Sequence, residues 1–201
     1  MPTIYDLKPA FQGLLRKPAD ALAGAGVTAN QVTIAALLMS GTTGVLLLAF
    51  PASRGVLALV PVVLFLRMAL NAIDGMLARE HGLKSKLGAV LNELGDVASD
   101  AVLYLPFAFI PGVPAAWVVL VVLAGILGEM AGVVAVQVGA SRRYDGPFGK
   151  SDRAFLFGLL ALLLAAGVEP GAWLGMVLAA ACALGVLTVF NRARGALRDT
   201  R

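Results

Sequence analysis

Residues 71–100 read NAIDGMLAREHGLKSKLGAVLNELGDVASD, and in them two hydrophobic segments meet around a short basic loop. The facing ends of these segments carry polar and acidic side chains, which are expensive inside a lipid bilayer. A cluster of such side chains within a membrane protein therefore indicates a functional site. Its members are Asn71, Asp74, Asn92, Glu93, Asp96 and Asp100.

Helical periodicity places these side chains on two faces. Successive residues of an α-helix turn by about 100°, so residues 92, 93, 96 and 100 share one stripe. Asn71 and Asp74 share a face of the preceding helix in the same way. Carboxylate and amide oxygens are the ligands of hard cations, so we predict a site for one or two Mg²⁺ or Mn²⁺ ions here.

Composition assigns the whole chain to the membrane proteins. Of its 201 residues 59% are hydrophobic and 14% are charged, and the mean hydropathy is +0.87. A membrane-spanning helix needs about 20 apolar residues, and the sequence offers six such segments. They lie near residues 30–50, 55–79, 87–111, 114–140, 154–168 and 172–190. A single cysteine, Cys182, and a single histidine, His81, exclude a disulfide framework and a His/Cys zinc site.

The predicted fold is an all-α membrane protein of six transmembrane helices preceded by an amphipathic juxtamembrane helix. Residues 1–29 alternate apolar and basic side chains at helical spacing, which is typical of a helix lying on a membrane surface. Pro9 and Pro18 predict that this segment is broken into short pieces. Residues 30–191 form the transmembrane domain, and residues 192–201 are predicted to be a basic cytoplasmic tail.

The distribution of Lys and Arg predicts the orientation. Of the 16 basic residues, 14 fall on one side of the predicted topology. The positive-inside rule then places both termini, and the mouth of the acidic cluster, in the cytoplasm. We therefore expect an integral protein of a prokaryotic cytoplasmic or inner membrane whose site faces the cytoplasm.

The stretch resembles the signature of the CDP-alcohol phosphotransferase family, D-x-x-D-G-x-x-A-R-x8-G-x-x-x-D-x-x-x-D. The positions that agree are Asp74, Gly75, Ala78, Arg79, Gly88 and Asp96. The first and third acids of the signature are Asn71 and Asn92 in this chain. An amide keeps a carbonyl oxygen but carries no charge, and Glu93 or Asp100 on the same stripe could supply the missing charge.

The resemblance implies an enzyme of phospholipid synthesis. Such an enzyme moves a phosphatidyl-type group from a CDP-linked lipid, such as CDP-diacylglycerol, to the hydroxyl of a small alcohol and releases CMP. The acids of the signature hold divalent metal ions, with Asp74 and Asp96 as the firmest ligands, and Asp96 is the implied general base. The resemblance also implies a homodimer surrounded by membrane lipids, and nothing in the sequence indicates a nucleic-acid partner.

The resemblance also implies which residues bind the substrates. Most of these residues have an alternative, purely structural interpretation. The nucleotide-binding candidates are Asn30, Thr33, Gly75, Ala78, Arg79 and Gly88. Asn30 and Thr33 could equally serve to begin a helix, and Arg79 could extend toward the membrane surface. Lys150 and Arg153 are candidates for binding a phosphate of the acceptor, although the positive-inside rule alone would also explain them.

Arg67 lies inside a predicted membrane helix, about 18 Å below Arg79. Asp100 and Glu129 lie at comparable depths, roughly 18–21 Å, on their own helices. An unpaired arginine at this depth is costly, so we predict that Arg67 pairs with Asp100, Glu129 or both.

Two alternatives to the enzyme remain open. One is a catalytically degenerate homologue, because two acids of the signature are missing. The other is a small transporter that uses the intramembrane acids. Transporter sites usually lie near the membrane midplane beside broken helices, whereas this cluster lies at the cytoplasmic ends of its helices.

Overall fold

The computed structural model describes residues 4–199, and side chains from residue 11 onward. Every regular element in this range is helical, which confirms the all-α class. The elements are α1 (Ile4–Gly24), α2 (Ala29–Ala49), α3 (Arg54–Glu80), α4 (Lys86–Tyr104), a 3-10 helix (Leu105–Phe109), α5 (Ala115–Gln137), α6 (Lys150–Ala165) and α7 (Ala172–Asp199).

Six helices, α2 to α7, follow α1 at the places that the apolar segments predict. Within the described residues, α2, α3, α5 and α7 are long and apolar enough to cross a membrane. Helix α4 carries Glu93, Asp96 and Asp100 among its 19 residues, and α6 has only 16 residues. Six crossings and two cytoplasmic termini therefore stay predictions.

Helix α1 is continuous through Pro18, so the prediction of short broken pieces is wrong. A proline removes one backbone hydrogen bond, and packing of the apolar face outweighs this loss. Ala19 is fully buried in a cluster with Ala29, Val32, Ile73, Met76 and Leu77. Leu15 and Leu22 of α1 pack against the same cluster.

The chain divides into two compact units. Unit 1 comprises the residues up to Thr42 together with Val62–Ser99, and unit 2 comprises Thr43–Pro61 and the chain from Asp100 onward. The core of unit 2 contains a ring stack of Tyr104 on Phe157, with centroids 4.2 Å apart and planes 6° from parallel. The ring of Phe107 meets Phe157 edge-on at 5.1 Å.

The loop between α5 and α6, residues 138–149, is fastened to two helices of unit 2. The Arg143 N–H donates to the Gly132 carbonyl of α5 at 3.1 Å. The Phe148 N–H donates to the hydroxyl of Thr188 on α7 at 3.0 Å. These bonds hold the loop against α5 and α7, so its basic residues have defined positions.

Candidate active site

A cavity of about 520 Å³ opens in unit 1 between the start of α2, the last turns of α3 and the first turns of α4. It gathers most of the residues that the signature singles out. Its lining consists of Ala29, Asn30, Thr33, Asn71, Asp74, Gly75, Ala78, Arg79, Leu83, Lys84, Ser85, Gly88, Ala89, Asn92 and Glu93. The two faces predicted from helical periodicity therefore do meet at one site.

Asp74 is the buried carboxylate of this cavity, with 4% of its surface exposed. Its Oδ2 accepts a hydrogen bond from the Thr33 hydroxyl at 2.9 Å and another from Asn92 Nδ2 at 3.3 Å. The Thr33 hydroxyl also lies 3.1 Å from the Ala29 carbonyl oxygen. Thr33 thus has a defined partner within the site, beyond any role in beginning α2.

Asp96 follows Asn92 by one turn of α4, and its side chain is 26% exposed. Its Oδ1 accepts a hydrogen bond from Asn71 Nδ2 at 3.1 Å. The guanidinium of Arg67 lies 3.9 Å from the same oxygen and donates to the Asp96 backbone carbonyl at 3.1 Å. Arg67 is 3% exposed, so it is buried as the sequence predicts, but the bonds described for it go to Asp96.

Asn71 and Asn92 therefore each donate a hydrogen bond to one of the two acids, Asp96 and Asp74 respectively. In the described part of the chain, no group of three or more His, Cys, Asp or Glu side chains is placed to hold a metal ion. Asp74 and Asp96, with the carbonyl oxygens of Asn71 and Asn92, offer two carboxylates and two neutral oxygens. Such a donor set fits one Mg²⁺ or Mn²⁺, which is commonly held by one or two carboxylates together with substrate phosphates.

Two glycines allow close approaches around the cavity. The Arg79 guanidinium lies over Gly75, where an added Cβ would come within 3.1 Å of Nη2. At Gly88 an added Cβ would come within 2.7 Å of Asn30 Oδ1. The Gly88 N–H donates to the Ser85 hydroxyl at 2.9 Å, which fixes the first turn of α4 against the loop.

Three predicted site residues, Asp100, Lys150 and Arg153, belong to unit 2 and do not line this cavity. Arg153 is 3% exposed and donates through Nε and Nη2 to Asp100 Oδ2, at 3.1 and 2.8 Å. Its Nη2 also donates to Glu129 Oε1 at 3.1 Å. Arg153 is therefore a described arginine partner of both Asp100 and Glu129, and the pairing of Arg67 with either carboxylate stays a prediction.

Two further partners of Glu129 were missed by the sequence analysis. Arg142 and Arg192 each bring a guanidinium nitrogen to Glu129 Oε2, at 3.3 and 3.2 Å. Arg192 was assigned to a basic tail, but residues 192–199 continue α7 and Arg192 is 2% exposed. The buried positions 181, 185, 188, 192 and 196 recur every three or four residues, and this period could have revealed it.

Comparison with known proteins identifies the class. Residues 26–187 match the CDP-alcohol phosphatidyltransferase family, so the chain belongs to this family and the resemblance is confirmed. It is also 47% identical to the inner membrane protein YnbA of Escherichia coli strain K12 over 195 residues, which cover 97% of this chain and 96% of YnbA. The membership and the four apolar helices make this chain an integral membrane protein of a transferase family.

Solved structures share the fold. Mycobacterium tuberculosis phosphatidylinositol phosphate synthase (PgsA1) with CDP-DAG bound has a TM-score of 0.77 and 19% identity, covering 90% of this chain and 92% of that chain. The same synthase in complex with manganese and citrate also gives 0.77 and 19%, covering 91% of this chain and 88% of that chain. At this level of identity the likeness establishes the fold alone.

Proposed function

We propose that this chain transfers a phosphatidyl-type group from a CDP-linked lipid to the hydroxyl of a small alcohol, releasing CMP. The observation that supports this proposal is the composition of the unit 1 cavity. Seven of the eight signature positions between residues 71 and 96 line it, and the eighth, Asp96, is hydrogen-bonded to Asn71 of the lining. A catalytically degenerate homologue would share this cavity but would release no CMP.

The cavity suits the nucleotide end of the donor. Its volume lies within the range of small-molecule sites, roughly 300–1,000 Å³. The cations Arg79 and Lys84 lie in its wall, where they can balance the charge of a diphosphate. Asn30 and Thr33 offer polar atoms on the α2 side, and the small residues Gly75 and Ala78 leave room beside α3. A CDP-lipid is bound in the structurally similar PgsA1.

The chemistry is a displacement at phosphorus. The acceptor hydroxyl gives its proton to the Asp96 carboxylate, its oxygen forms a bond to the donor's β-phosphorus, and the bond from that phosphorus to CMP breaks. Asn71 holds one oxygen of Asp96, and buried Arg67 fixes the backbone at the same residue. A divalent cation, held by Asp74, Asp96 and the oxygens of Asn71 and Asn92, would neutralise the diphosphate and the leaving CMP.

The acceptor assignment concerns the start of α6. Lys150 is the first residue of α6 and is half-buried, whereas Arg153 one turn later bonds to carboxylates. We therefore keep Lys150 as the first candidate for contact with the acceptor.

We further propose that α4 and α6 also cross the membrane, that both termini and the cavity face the cytoplasm, and that the chain assembles as a homodimer.

The test is CMP release by the purified protein from CDP-diacylglycerol, with Mg²⁺ or Mn²⁺ and a panel of small alcohols. We expect metal-dependent CMP release with at least one alcohol. We also expect CMP with Mn²⁺ to raise the thermal midpoint, because the nucleotide binds only the folded state. A transporter would show neither effect. The absence of both effects would contradict the proposal.

The asparagines provide a second prediction. Asn71→Asp and Asn92→Asp should each lower the Mn²⁺ concentration needed for half-saturation by about tenfold, or about 1.4 kcal/mol. In each variant a carboxylate replaces an amide that now donates to Asp96 or Asp74, so a cation is needed between the two charges. Calorimetric Mn²⁺ titration, with and without CMP, measures this effect independently of turnover.

Asn191→Asp on α7 is the matched control, because it makes the same chemical change outside the cavity. It should leave Mn²⁺ binding unchanged. Weaker Mn²⁺ binding in both cavity variants would instead mean that Glu93 has already supplied the missing charge and that a further carboxylate crowds the site.

A further inference from the structure

Thr33, in the second turn of α2, is bonded to the buried carboxylate of the unit 1 cavity. Its hydroxyl donates to Asp74 Oδ2 at 2.9 Å, and the two residues are 8% and 4% exposed. They are 41 positions apart in the chain, so the bond joins α2 to α3. A second donor, Asn92 Nδ2 of α4, reaches the same oxygen at 3.3 Å. Three helices of unit 1 thus meet at one carboxylate oxygen.

The Thr33 hydroxyl has a single hydrogen to donate. Two acceptors lie within its reach, Asp74 Oδ2 at 2.9 Å and the Ala29 carbonyl oxygen at 3.1 Å. A hydrogen bond to a carboxylate is roughly twice as strong as one between neutral groups. A carbonyl four residues earlier in a helix also already accepts a backbone N–H. The hydroxyl hydrogen of Thr33 therefore goes to Asp74.

The segment that carries Thr33 is held rigidly. Thr28 and Gln31 cap the start of α2, because the side chain of each accepts from the backbone N–H of the other, at 3.3 and 2.9 Å. Val32 and Ile73, each the residue just before one partner of the bond, belong to the same buried cluster. A threonine side chain is also stiff about χ1, because its Cβ is branched. The hydroxyl therefore has a fixed position relative to the carboxylate.

We infer that Thr33 is a positioning residue, which orients the Asp74 carboxylate for the divalent cation. Thr33 then affects the reaction through the cation and not through a contact with the nucleotide. This role differs from the nucleotide-binding role that the family resemblance implies for Thr33. The inference rests on the proposed function, in which Asp74 is a ligand of that cation.

The hydrogen bond from Thr33 is of the kind that orients a metal ligand. Groups bonded to a ligand decide how it faces the ion, and removing one typically weakens metal binding by about 10–100-fold. We expect a strong dependence in this chain, because Asn71 and Asn92 stand at two acid positions of the signature and bring no charge. With carboxylates left at only two of the four signature positions, the orientation of each contributes more to cation binding.

The first experiment is a calorimetric titration of Mn²⁺ into the purified protein at a fixed, saturating concentration of CMP. Thr33→Val replaces the hydroxyl by a methyl group and should weaken Mn²⁺ binding by about tenfold or more. Thr33→Ser keeps the hydroxyl and should restore most of the affinity. Unchanged Mn²⁺ affinity in Thr33→Val, or a wild-type protein that binds no Mn²⁺, would overturn the inference.

Thr43→Val is the matched control, because it makes the same change at another buried threonine of α2 that lies outside the cavity lining. It should leave the Mn²⁺ affinity unchanged, even if it lowers the thermal midpoint. If Thr33→Val does not fold, Thr33→Ala takes its place, since it removes the hydroxyl without putting a methyl group beside the carboxylate. Thr33→Ala should then bind Mn²⁺ more weakly, and unchanged binding would overturn the inference.

The second experiment separates an effect on the cation from an effect on the nucleotide. The CMP affinity of Thr33→Val and of the wild type is measured by calorimetry at increasing Mn²⁺ concentrations. Any weaker CMP binding by Thr33→Val should disappear once Mn²⁺ is saturating, because the two ligands are coupled and the cation site is then filled in both proteins. Weaker CMP binding that persists at saturating Mn²⁺ would show a direct contact with the nucleotide and would overturn the inference.

Neither experiment needs turnover, so the failure of this inference and the failure of the proposed function can be told apart. If no alcohol supports CMP release while Mn²⁺ binding depends on the Thr33 hydroxyl, the proposed catalysis fails and the positioning role stands. If CMP is released but Thr33→Val binds Mn²⁺ like the wild type, the proposed function stands and the inference fails.

Discussion

Replacing Asp96 by asparagine is expected to lower the rate of CMP release by about 10²–10⁴-fold, the usual contribution of a general base. The change keeps the shape of the side chain but removes its charge and its basicity. Weaker binding of the divalent cation would lower the rate of CMP release further. The side chain is 26% exposed and follows Asn92 of the cavity lining by one turn of α4, so it is open to a proton donor.

The measurement is CMP release at saturating Mn²⁺, so that weaker metal binding does not contribute. Glu80→Gln is the matched control, since it converts a carboxylate to an amide at the exposed end of α3, where Glu80 pairs with Arg16 at 3.5 Å. The control should retain nearly normal turnover. Stabilisation by CMP should survive in Asp96→Asn, which would show that its fold and nucleotide site are intact. Near-normal, metal-dependent turnover of Asp96→Asn would exclude Asp96 as the base.

The helices and the cavity depend on local sequence, and both could be predicted from the sequence. The apolar segments are separated by residues such as Pro51 and Gly112, and they predicted the bounds of six helices to within a few residues. This was possible because the residues that end a helix act on their immediate neighbours in the chain. The cavity could be predicted for the same reason. Residues 71–96 form two helix ends joined by a short loop, and the period of 3.6 residues per turn places their polar side chains on facing stripes.

The partners of the buried charges could not be predicted in this way. Counting along a helix gives the depth and the face of Asp100, but not which distant residue meets it. Arg153, its partner, lies 53 residues further along the chain. Asp100 follows Asp96 by one turn on the same stripe, yet the boundary between the two units falls just before it, and its described bonds go to unit 2. Arg153 bonds to both carboxylates that were predicted for Arg67, and the pairing of Arg67 with either of them stays a prediction.

Whether a helix continues or ends also depends on tertiary packing, which sequence patterns alone do not include. Pro18 predicted a break in α1, but the residue after it is fully buried against α2 and α3. In the same way, the run of arginines after residue 191 resembled a solvated tail. Burial of Arg192 depends on carbonyl groups of Gly128 and Asp145, which no local pattern brings to it.

Replacing Arg153 by alanine is expected to have the largest effect on folding. The variant loses two hydrogen bonds to Asp100 and one to Glu129, and it leaves the nearly buried Asp100 carboxylate without its described cation. Removing one partner of a buried ion pair costs roughly 3–5 kcal/mol. Gly125 of α5 is shaped around this side chain, since an added Cβ there would lie 2.9 Å from Arg153 Cδ, so alanine also leaves a void.

The thermal midpoint followed by tryptophan fluorescence measures this loss, because both tryptophans of the chain, Trp117 and Trp173, lie in unit 2. Arg194→Ala is the matched control, as it removes an exposed arginine from α7 and should change the midpoint little. Adding Asp100→Asn to Arg153→Ala should recover part of the stability, because it removes the buried negative charge that Arg153 no longer balances. If Arg153→Ala kept the wild-type midpoint and raised only the KM for the acceptor, Arg153 would be a substrate-binding residue and the structural role argued from its bonds would be wrong.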